Sequence, residues 1–343
     1  MVSFDVIVVG AGHAGIEAAL ACARMGLRTA CVTMRRDRIG HLPCNCSIGG
    51  PAKGHMAREV DALGGQMGVA TDYAMTHLRR VGTRKGPAVQ TLRAHVCKQL
   101  YPRLMRATVE SQPGLDVIEA TVLALRIGPD GVRGVETADG PLEARSVVLT
   151  TGTFLNGVCH EGRNQTSAAR RGEAPSTHLA DDLRALGAHM RRFKTGTTPR
   201  VAKSTLDLSR TEVLESEPEA GPFSFRHDRS FPVHPLLPCW RTRTSEDTHR
   251  IILGNLEESA MYGGRIEGVG PRYCPSVEDK IVRFADKESH PIFLEQEEWE
   301  GESVYVQGMS TSLPASVQAA MVRTVPGMER AEILVPGYAV EYD

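Results

Sequence analysis

DVIVVGAGHAGIEAAL, residues 5–20, is the stretch whose reading decides the fold, because it joins an apolar strand, a glycine turn and an alanine-rich helix in one short run. Residues 4–9 form the continuous, β-branched run that a parallel strand buried on both faces requires. Gly10 ends it. Gly10, Gly12 and Gly15 then fit G-x-G-x-x-G: the first glycine permits a tight turn, the second lets backbone approach a pyrophosphate, and the third lets the helix pack on the strand. A diphosphate would sit on the N–H groups at the positive end of the helix. That helix places Ile16, Leu20 and Ala23 on one face and stops at Gly26. A second strand over residues 28–33 follows at once, and the stretch predicts a dinucleotide-binding start. No Asp or Glu ends the second strand, where Thr33 and Met34 stand and Asp37 comes late, so the usual ribose contact is missing from its expected place.

The rest of the composition is that of an ordinary water-soluble chain. At 343 residues, 41% hydrophobic and a formal charge of −1, the sequence suggests two domains and no generally basic surface; nucleic-acid binding would need a local patch. No segment is long and apolar enough to cross a bilayer. The first strand starts within four residues of Met1, without signal peptide or amphipathic basic presequence, so a cytoplasmic location is expected. Eight cysteines in that setting read as reduced thiols, each to be judged as core, ligand or nucleophile.

Further along, HLPCNCSIGGPAKGHMAREVDALGG, residues 41–65, is a glycine-rich loop followed by a helix with Met56, Val60 and Leu63 at i, i+4 and i+7. Cys44 and Cys46 precede that helix with Lys53 and Arg58 nearby, an environment that favours thiolate; an inert small residue in a loop core is the competing reading. His41, Cys44, Cys46 and His55 also leave a zinc site open, although C-x-C is tighter than the usual spacing. Residues 76–98 carry Arg79, Arg80, Arg84, Lys85, Arg93 and Lys98, read either as a solvated helix face or as a phosphate-facing rim. A helix from Val89 would carry Leu92, Val96 and Leu100 inward until Pro102 kinks or ends it.

Residues 115–119, 122–127 and 132–137 read as short strands, and residues 145–151 as a further parallel strand received after that antiparallel excursion. Ser176 or Thr177 caps a helix with Leu179, Leu183 and Leu186 inward and Gly187 as its stop. From Phe193 the composition shifts to prolines, short strands and polar loops, with KTGTTPR at residues 194–200 marking a domain boundary. Ser276 as N-cap with Asp279 at N3 starts a helix over residues 277–285, and Cys274 lies just upstream beside Arg272, the best local case for a low-pKa thiol.

GAGHAGIEAAL, C-N-x-S-I-G-G with its KGH, REVDALGG, KGPAVQ, LTTGTFLNG, KTGTTPR, MYGGRIEGVGPRYCPSVEDKIVRFADK, STSLP and PGYAVEYD together resemble the MnmG (GidA) family, in one order along the whole chain. The resemblance implies a flavoprotein of the two-dinucleotide-binding type. Its α/β fold would pair a Rossmann-like FAD-binding domain, residues 1–200, with an inserted α+β nicotinamide and substrate domain, residues 201–343. The chain would stop before the FAD domain is completed and before the helical C-terminal domain, as an N-terminal fragment. The implied activity is addition of an aminomethyl or carboxymethylaminomethyl group to C5 of the wobble uridine of tRNA. It would use FAD, NADH and a one-carbon unit from 5,10-methylenetetrahydrofolate, in complex with the GTPase MnmE and as a homodimer, away from any membrane.

Residue by residue, the resemblance assigns Gly10, Ala11, Gly12, His13, Ala14, Gly15, Val122 and Ser176 to flavin. It assigns Gly270, Pro271, Arg272, Tyr273, Cys274, Pro275, Ser276, Val277, Glu278, Asp279, Lys280, Ile281, Val282, Arg283 and Phe284 to nicotinamide. Cys44 and Cys274 match the two functional cysteines of the family. Uridine C5 becomes nucleophilic only when something adds at C6, which a thiolate can do. Cys46 where many relatives have proline, Thr198 in KTGTTPR, and Pro102 depart from the family pattern. Three other functions compete: a folate- and FAD-dependent tRNA uridine methyltransferase, a nicotinamide-dependent thiol oxidoreductase using Cys44 and Cys46, and an inactive nucleotide-binding fragment.

Overall fold

A computed structural model of the chain describes residues 3–84, 86–270 and 275–343. In chain order the elements begin β1 (Ser3–Val9), α1 (His13–Arg24), β2 (Thr29–Thr33), β3 (Ser47–Gly49), α2 (Lys53–Ala62), α3 (Met67–Ala74) and β4 (Met75–Val81). They continue with β5 (Thr91–Val96), α4 (Leu100–Ser111), β6 (Leu115–Glu119), β7 (Val122–Gly128), β8 (Gly131–Thr137) and β9 (Gly140–Leu149). After β10 (Val158–Glu161) and β11 (Asn164–Ser167) come α5 (Thr177–Ala185), β12 (Phe193–Gly196), β13 (Arg200–Ala202), β14 (Glu212–Leu214), β15 (Cys239–Arg243) and α6 (Glu246–Leu253). The last are α7 (Val277–Arg283), β16 (Pro291–Gln296), β17 (Ser303–Gln307), α8 (Ala315–Val322), β18 (Ile333–Val335) and β19 (Ala339–Tyr342).

Two compact units interleave along the chain, where the sequence places one cut at residue 200. One unit comprises Met1–Leu155, Ser176–Met190 and Glu217–Leu236; the other comprises Asn156–Pro175, Arg191–Ser216 and Leu237–Asp343. The first is built on a six-stranded sheet of order β6-β2-β1-β9-β8-β7, in which β1 runs parallel to β2 and β9, and β2 parallel to β6. β8 joins antiparallel on both sides. The β-branched run of β1 is buried on both faces as its composition demands: Val6 and Val8 meet α1 and α4, whereas Ile7 and Val9 pack on the side of α5. β9 has a double role. Residues 140–143 pair with β8 and residues 143–149 pair with β1, so beyond Glu143 no strand among the described residues lies on the side away from β1.

Local pattern misleads in the segment after β2. Residues 76–98 are not a helix but the antiparallel hairpin β4–β5, extended by β3. Leu92, Ala94 and Val96 are buried there at the strand period of two, and that period coincides with helical spacing over so short a run. α4 starts only at Leu100 and carries Pro102 in its first turn, where the missing N–H would have had no intrahelical partner, so the proline neither ends nor kinks it. On α2 the expected inward stripe is reversed: Met56 is 66% and Leu63 90% exposed, while Gly54, Ala57 and Asp61 are buried. The cause is Gly54, where a Cβ would lie 2.2 Å from Thr91 Oγ1, so the helix packs on β5 through its small residues. Likewise Leu186 of the helix after Ser176 is exposed, although Leu179 is buried.

Asp61 and Asp72 hold the segment Glu217–Leu236 onto this unit. Asp72 accepts the N–H groups of Phe223 at 2.6 Å and Ser224 at 3.0 Å, and Asp61 accepts Ser224 Oγ and Phe225 N–H, each at 2.7 Å. His227 Nδ1 lies 3.2 Å from Asp72. Burial pushes the Asp72 carboxyl up, and the two backbone N–H groups and His227 oppose that shift.

The second unit has a six-stranded sheet, β14-β15-β16-β17-β13-β18, and a four-stranded one, β11-β10-β19-β12. Its core gathers Val201, Ile252, Val277, Ile281, Leu294, Val306 and Met321. α7 starts with the expected capping box of Ser276 and Asp279, and ends at Arg283 rather than residue 285 because Phe284 has left helical geometry.

Candidate dinucleotide-binding site

The turn after β1 sits where the direction of strand succession reverses. β2 lies to one side of β1, reached through α1, and β9 lies to the other, so the carboxyl ends of β1 and β9 flank a crevice at the switch point. Hydrogen bonds pin the turn from each side. Gly10 N–H donates to Val32 O at 2.8 Å, Thr150 N–H donates to Val9 O at 2.9 Å, and Gly40 N–H donates to Ala11 O at 3.0 Å.

The three glycines have three distinct reasons. Gly10 has φ +106° and faces Thr150, where a Cβ would lie 2.6 Å from the carbonyl oxygen. At Gly15 a Cβ would lie 1.9 Å from Gly10 O, so α1 packs directly on the turn. At Gly12 a Cβ would meet nothing within 4 Å, and its φ of −77° would suit any residue; the turn is open at the position where a ligand approaches. Gly12 is the N-cap of α1, which has no side-chain cap and no acidic residue in its first turn. The helix end therefore presents its partial positive charge toward that opening without a protein anion to neutralise it. This arrangement fits a dinucleotide diphosphate.

Of the other positions assigned to flavin, Val122 is the buried first residue of β7 and Ser176 the N-cap of α5, its N–H donating to Phe154 O at 2.8 Å. The end of β2 offers no carboxylate: Asp37 pairs with Arg35 at 2.6 Å, which holds its carboxyl below the usual range. Glu119, register partner of Thr33 on the neighbouring β6, accepts the Arg36 N–H at 2.6 Å. Thr150, which closes the turn through Oγ1 to Val9 O at 2.8 Å, was not among the sequence candidates; the LTTGT run that contains it is its only signal.

The thiols separate by burial. Cys44 is half-buried in the loop before β3, and its carbonyl accepts Lys98 Nζ at 3.2 Å. Cys46 is fully buried, its carbonyl fixed by Val96 N–H at 2.8 Å. β3 intervenes between both cysteines and α2, so the helix N-terminus does not follow them directly. His41, Cys44, Cys46 and His55 do not gather as a ligand set among the described residues. Burial pushes Cys31 up to about 12 and Cys159 to about 11, so those thiols stay protonated.

In the second unit Pro271, Arg272, Tyr273 and Cys274 lie outside the described residues. What flanks them is packed. A Cβ on Gly270 would come within 3.0 Å of Lys194 Cε, and Lys194 Nζ lies 3.7 Å from Asp279. Pro275 is exposed. Val277 and Ile281 belong to the core, and Lys280 Nζ donates to Gly308 O at 3.0 Å. Glu278 is fully buried and accepts Ser259 Oγ at 3.2 Å, Thr311 Oγ1 at 2.9 Å and Ser312 N–H at 3.2 Å, tying α7 to the STSLP stretch. Val282, Arg283 and Phe284 are exposed.

A family model described as glucose inhibited division protein A matches residues 5–343. Among curated proteins the chain is similar to the tRNA uridine 5-carboxymethylaminomethyl modification enzyme MnmG of Alkaliphilus metalliredigens, 50% identical over 342 residues, 99% of this chain and 54% of that protein. The enzyme of the same name from Geobacillus thermodenitrificans is 50% identical over 343 residues, again 99% and 54%. Among solved structures, Aquifex aeolicus GidA in its form I crystal matches with a TM-score of 0.92 and 45% identity, covering 99% of this chain and 58% of that one. The form II crystal gives 0.91 and 43%, covering 99% and 55%. The chain spans about half the length of the curated relatives it matches.

Proposed function

The chain belongs to the glucose inhibited division protein A family, also called GidA or MnmG, and from that premise we propose that it supplies the flavin-binding turn and catalytic thiols of a tRNA wobble-uridine modification enzyme. The observation that carries this reading is the match along residues 5–343 together with the open position at Gly12 on an uncapped helix N-terminus. FAD would lie with its diphosphate on Gly10, Ala11, Gly12, His13, Ala14 and Gly15, and NADH would be taken at Gly270 to Phe284. FAD, when bound, would supply a redox centre that NADH reduces, and 5,10-methylenetetrahydrofolate would supply the one-carbon unit.

The protein's own part is nucleophilic. A thiolate from Cys44 or Cys274 adds to uridine C6, which pushes the C5–C6 electron pair onto C5. C5 then bonds to the methylene carbon, and the bond from that carbon to tetrahydrofolate breaks with its electron pair leaving on the folate nitrogen. An amine co-substrate supplies the new C–N bond, and loss of the C5 proton with expulsion of the thiolate restores the ring. The other thiol serves in proton transfer. Half-exposure of Cys44 supports its place in this chemistry, as full burial of Cys46 speaks against the latter. The product would be a (carboxymethyl)aminomethyl uridine, made with the GTPase MnmE by a cytoplasmic homodimer.

The test uses a strain lacking its own enzyme, complemented by the gene carrying Cys44→Ser or Cys274→Ser. The purified variants should keep the flavin spectrum, because the glycine turn is untouched, while nucleoside mass spectrometry of tRNA shows the wobble modification lost. Normal modification by either variant overturns that residue's role.

A further inference from the structure

A second recess in the first unit lies away from the glycine turn, between α2 and the β4–β5 hairpin. It is an open depression of about 550 Å³ lined by His55, Arg58, Glu59, Arg80, Gln90 and Phe225, among others. Phe225 is 61% exposed, yet its backbone is rigid, since its N–H is held by the buried Asp61 at 2.7 Å. The Arg58 guanidinium covers one face of the ring at 4.1 Å and donates to Phe223 O at 2.8 Å. Arg80 is exposed on β4; its backbone N–H is held by Glu217 at 3.0 Å, but its guanidinium has no ion pair among the described residues. Burial opposes the Arg58 charge, Asp61 and Asp72 favour it, and Arg80 adds a smaller opposition. Buried His55 Nε2 has no hydrogen-bond partner. The one carboxylate in the lining, Glu59, is exposed.

A fixed, exposed aromatic ring beside two guanidinium groups and a side-chain amide matches what an unpaired nucleotide requires: a stacking surface, a phosphate partner and an edge to hydrogen-bond. The recess is open, so a strand can enter and leave it. We propose that this depression binds one nucleotide of a single-stranded RNA segment, with the base against Phe225 and Arg58, the phosphate at Arg80, and the base edge toward Gln90 and His55. The RNA source rests on the tRNA reading above; the stacking and phosphate chemistry does not.

Fluorescence anisotropy of a labelled anticodon stem–loop RNA, titrated with the full chain over a salt series, tests this with Phe225→Leu and Arg80→Gln. Both side chains are exposed, and unchanged thermal melting certifies each variant's fold. Each should weaken binding about tenfold. Arg80→Gln should also flatten the slope of log affinity against log salt by about 0.7, the share of one phosphate contact on a single strand, while Phe225→Leu leaves the slope intact. RNA bound by both variants with unchanged affinity and slope overturns the site and leaves the tRNA reading standing, as does a changed oligomeric state without a change in RNA affinity. If the wild-type chain ignores the RNA but binds AMP, and both variants weaken that, the recess takes free nucleotides and the RNA assignment falls. Binding of neither overturns the proposal, independently of the cysteine experiment.

Discussion

Gly12 and Gly15 stand three residues apart in one motif, and the structure sets them opposite fates on substitution. A Cβ on Gly15 would lie 1.9 Å from Gly10 O, 2.8 Å from Gly10 C and 2.7 Å from Thr150 Oγ1. Non-bonded heavy atoms rest at about 3.5 Å, so α1 would have to move off β1 by roughly 1.5 Å. The turn cannot yield in its place, because Gly10 is pinned to β2 and Thr150 to β1. Displacing α1 opens its seam of Ile16, Ala19 and Leu20 against Val6 and Val8, all buried. Overpacking of that kind costs up to about 3 kcal/mol. Replacing an interior helical glycine by alanine returns about 1 kcal/mol, leaving a net loss near 2 kcal/mol for Gly15→Ala. Gly12→Ser meets nothing within 4 Å and adds an oxygen at an N-cap that has none, so stability should stay within about 0.5 kcal/mol of wild type. Its side chain, however, fills the space into which the diphosphate must come, and loss of about 1.4 kcal/mol there already means a tenfold weaker complex. Urea unfolding measures the first quantity and quenching of flavin fluorescence on titration with FAD the second. Gly15→Ala as stable as wild type, or Gly12→Ser that either unfolds as easily as Gly15→Ala or binds FAD undiminished, would refute this account of the turn.

Asp72→Ala strips two buried N–H groups, those of Phe223 and Ser224, of their acceptor, at about 1–3 kcal/mol each; limited proteolysis should then cut within Glu217–Leu236, and a segment as resistant as in wild type would count against the aspartate's role. Glu278→Ala removes the shared acceptor of Ser259, Thr311 and Ser312 and should cost the second unit about 2–4 kcal/mol in urea unfolding, whereas a neutral result would mean water replaces the carboxylate. Burial holds His160, His249 and His290 below the ordinary histidine range; at His160 Glu341 opposes that shift while Arg192 and Arg265 add to it, and at His290 His249 and Lys280 add to it while Asp286 opposes it. The folded state thus binds these protons less well than the unfolded chain, whose histidines titrate near about 6.5; the stability is intact above that pH and lost as pH falls below it. Melting curves should show the second unit's transition flat above neutrality and lower at about pH 5.5, and a transition that rises on acidification would be incompatible with buried neutral histidines. Asp72, pushed up by burial, acts in the opposite sense and belongs to the first unit.

Sequence alone determined what is decided within a few residues of chain. The β-branched run of β1, the glycine turn and α1 are legible because a strand buried on both faces, a positive φ and close helix packing each demand a residue type at a fixed position. The capping box of Ser276 and Asp279 is equally local. Tertiary structure decided where partners come from far along the chain. Leu92 and Val96 suit either period, and only pairing with β4 and β3 makes them strand residues. Met56, Val60 and Leu63 look like a core stripe, yet the close approach of Gly54 to β5 turns that face outward. Nothing in the local sequence of Asp61 and Asp72 marks them as buried acceptors; the N–H groups of residues 223–225 that they accept arrive some 150 residues later. Cys44 and Cys46, two residues apart with the same local surroundings, part only because the backbone of Cys46 is taken into contact with β5 and buried while Cys44 stays half-exposed. Periodicity and turn chemistry report the strain and burial that a segment imposes on itself; they carry no record of which distant donor, acceptor or small residue will close over it.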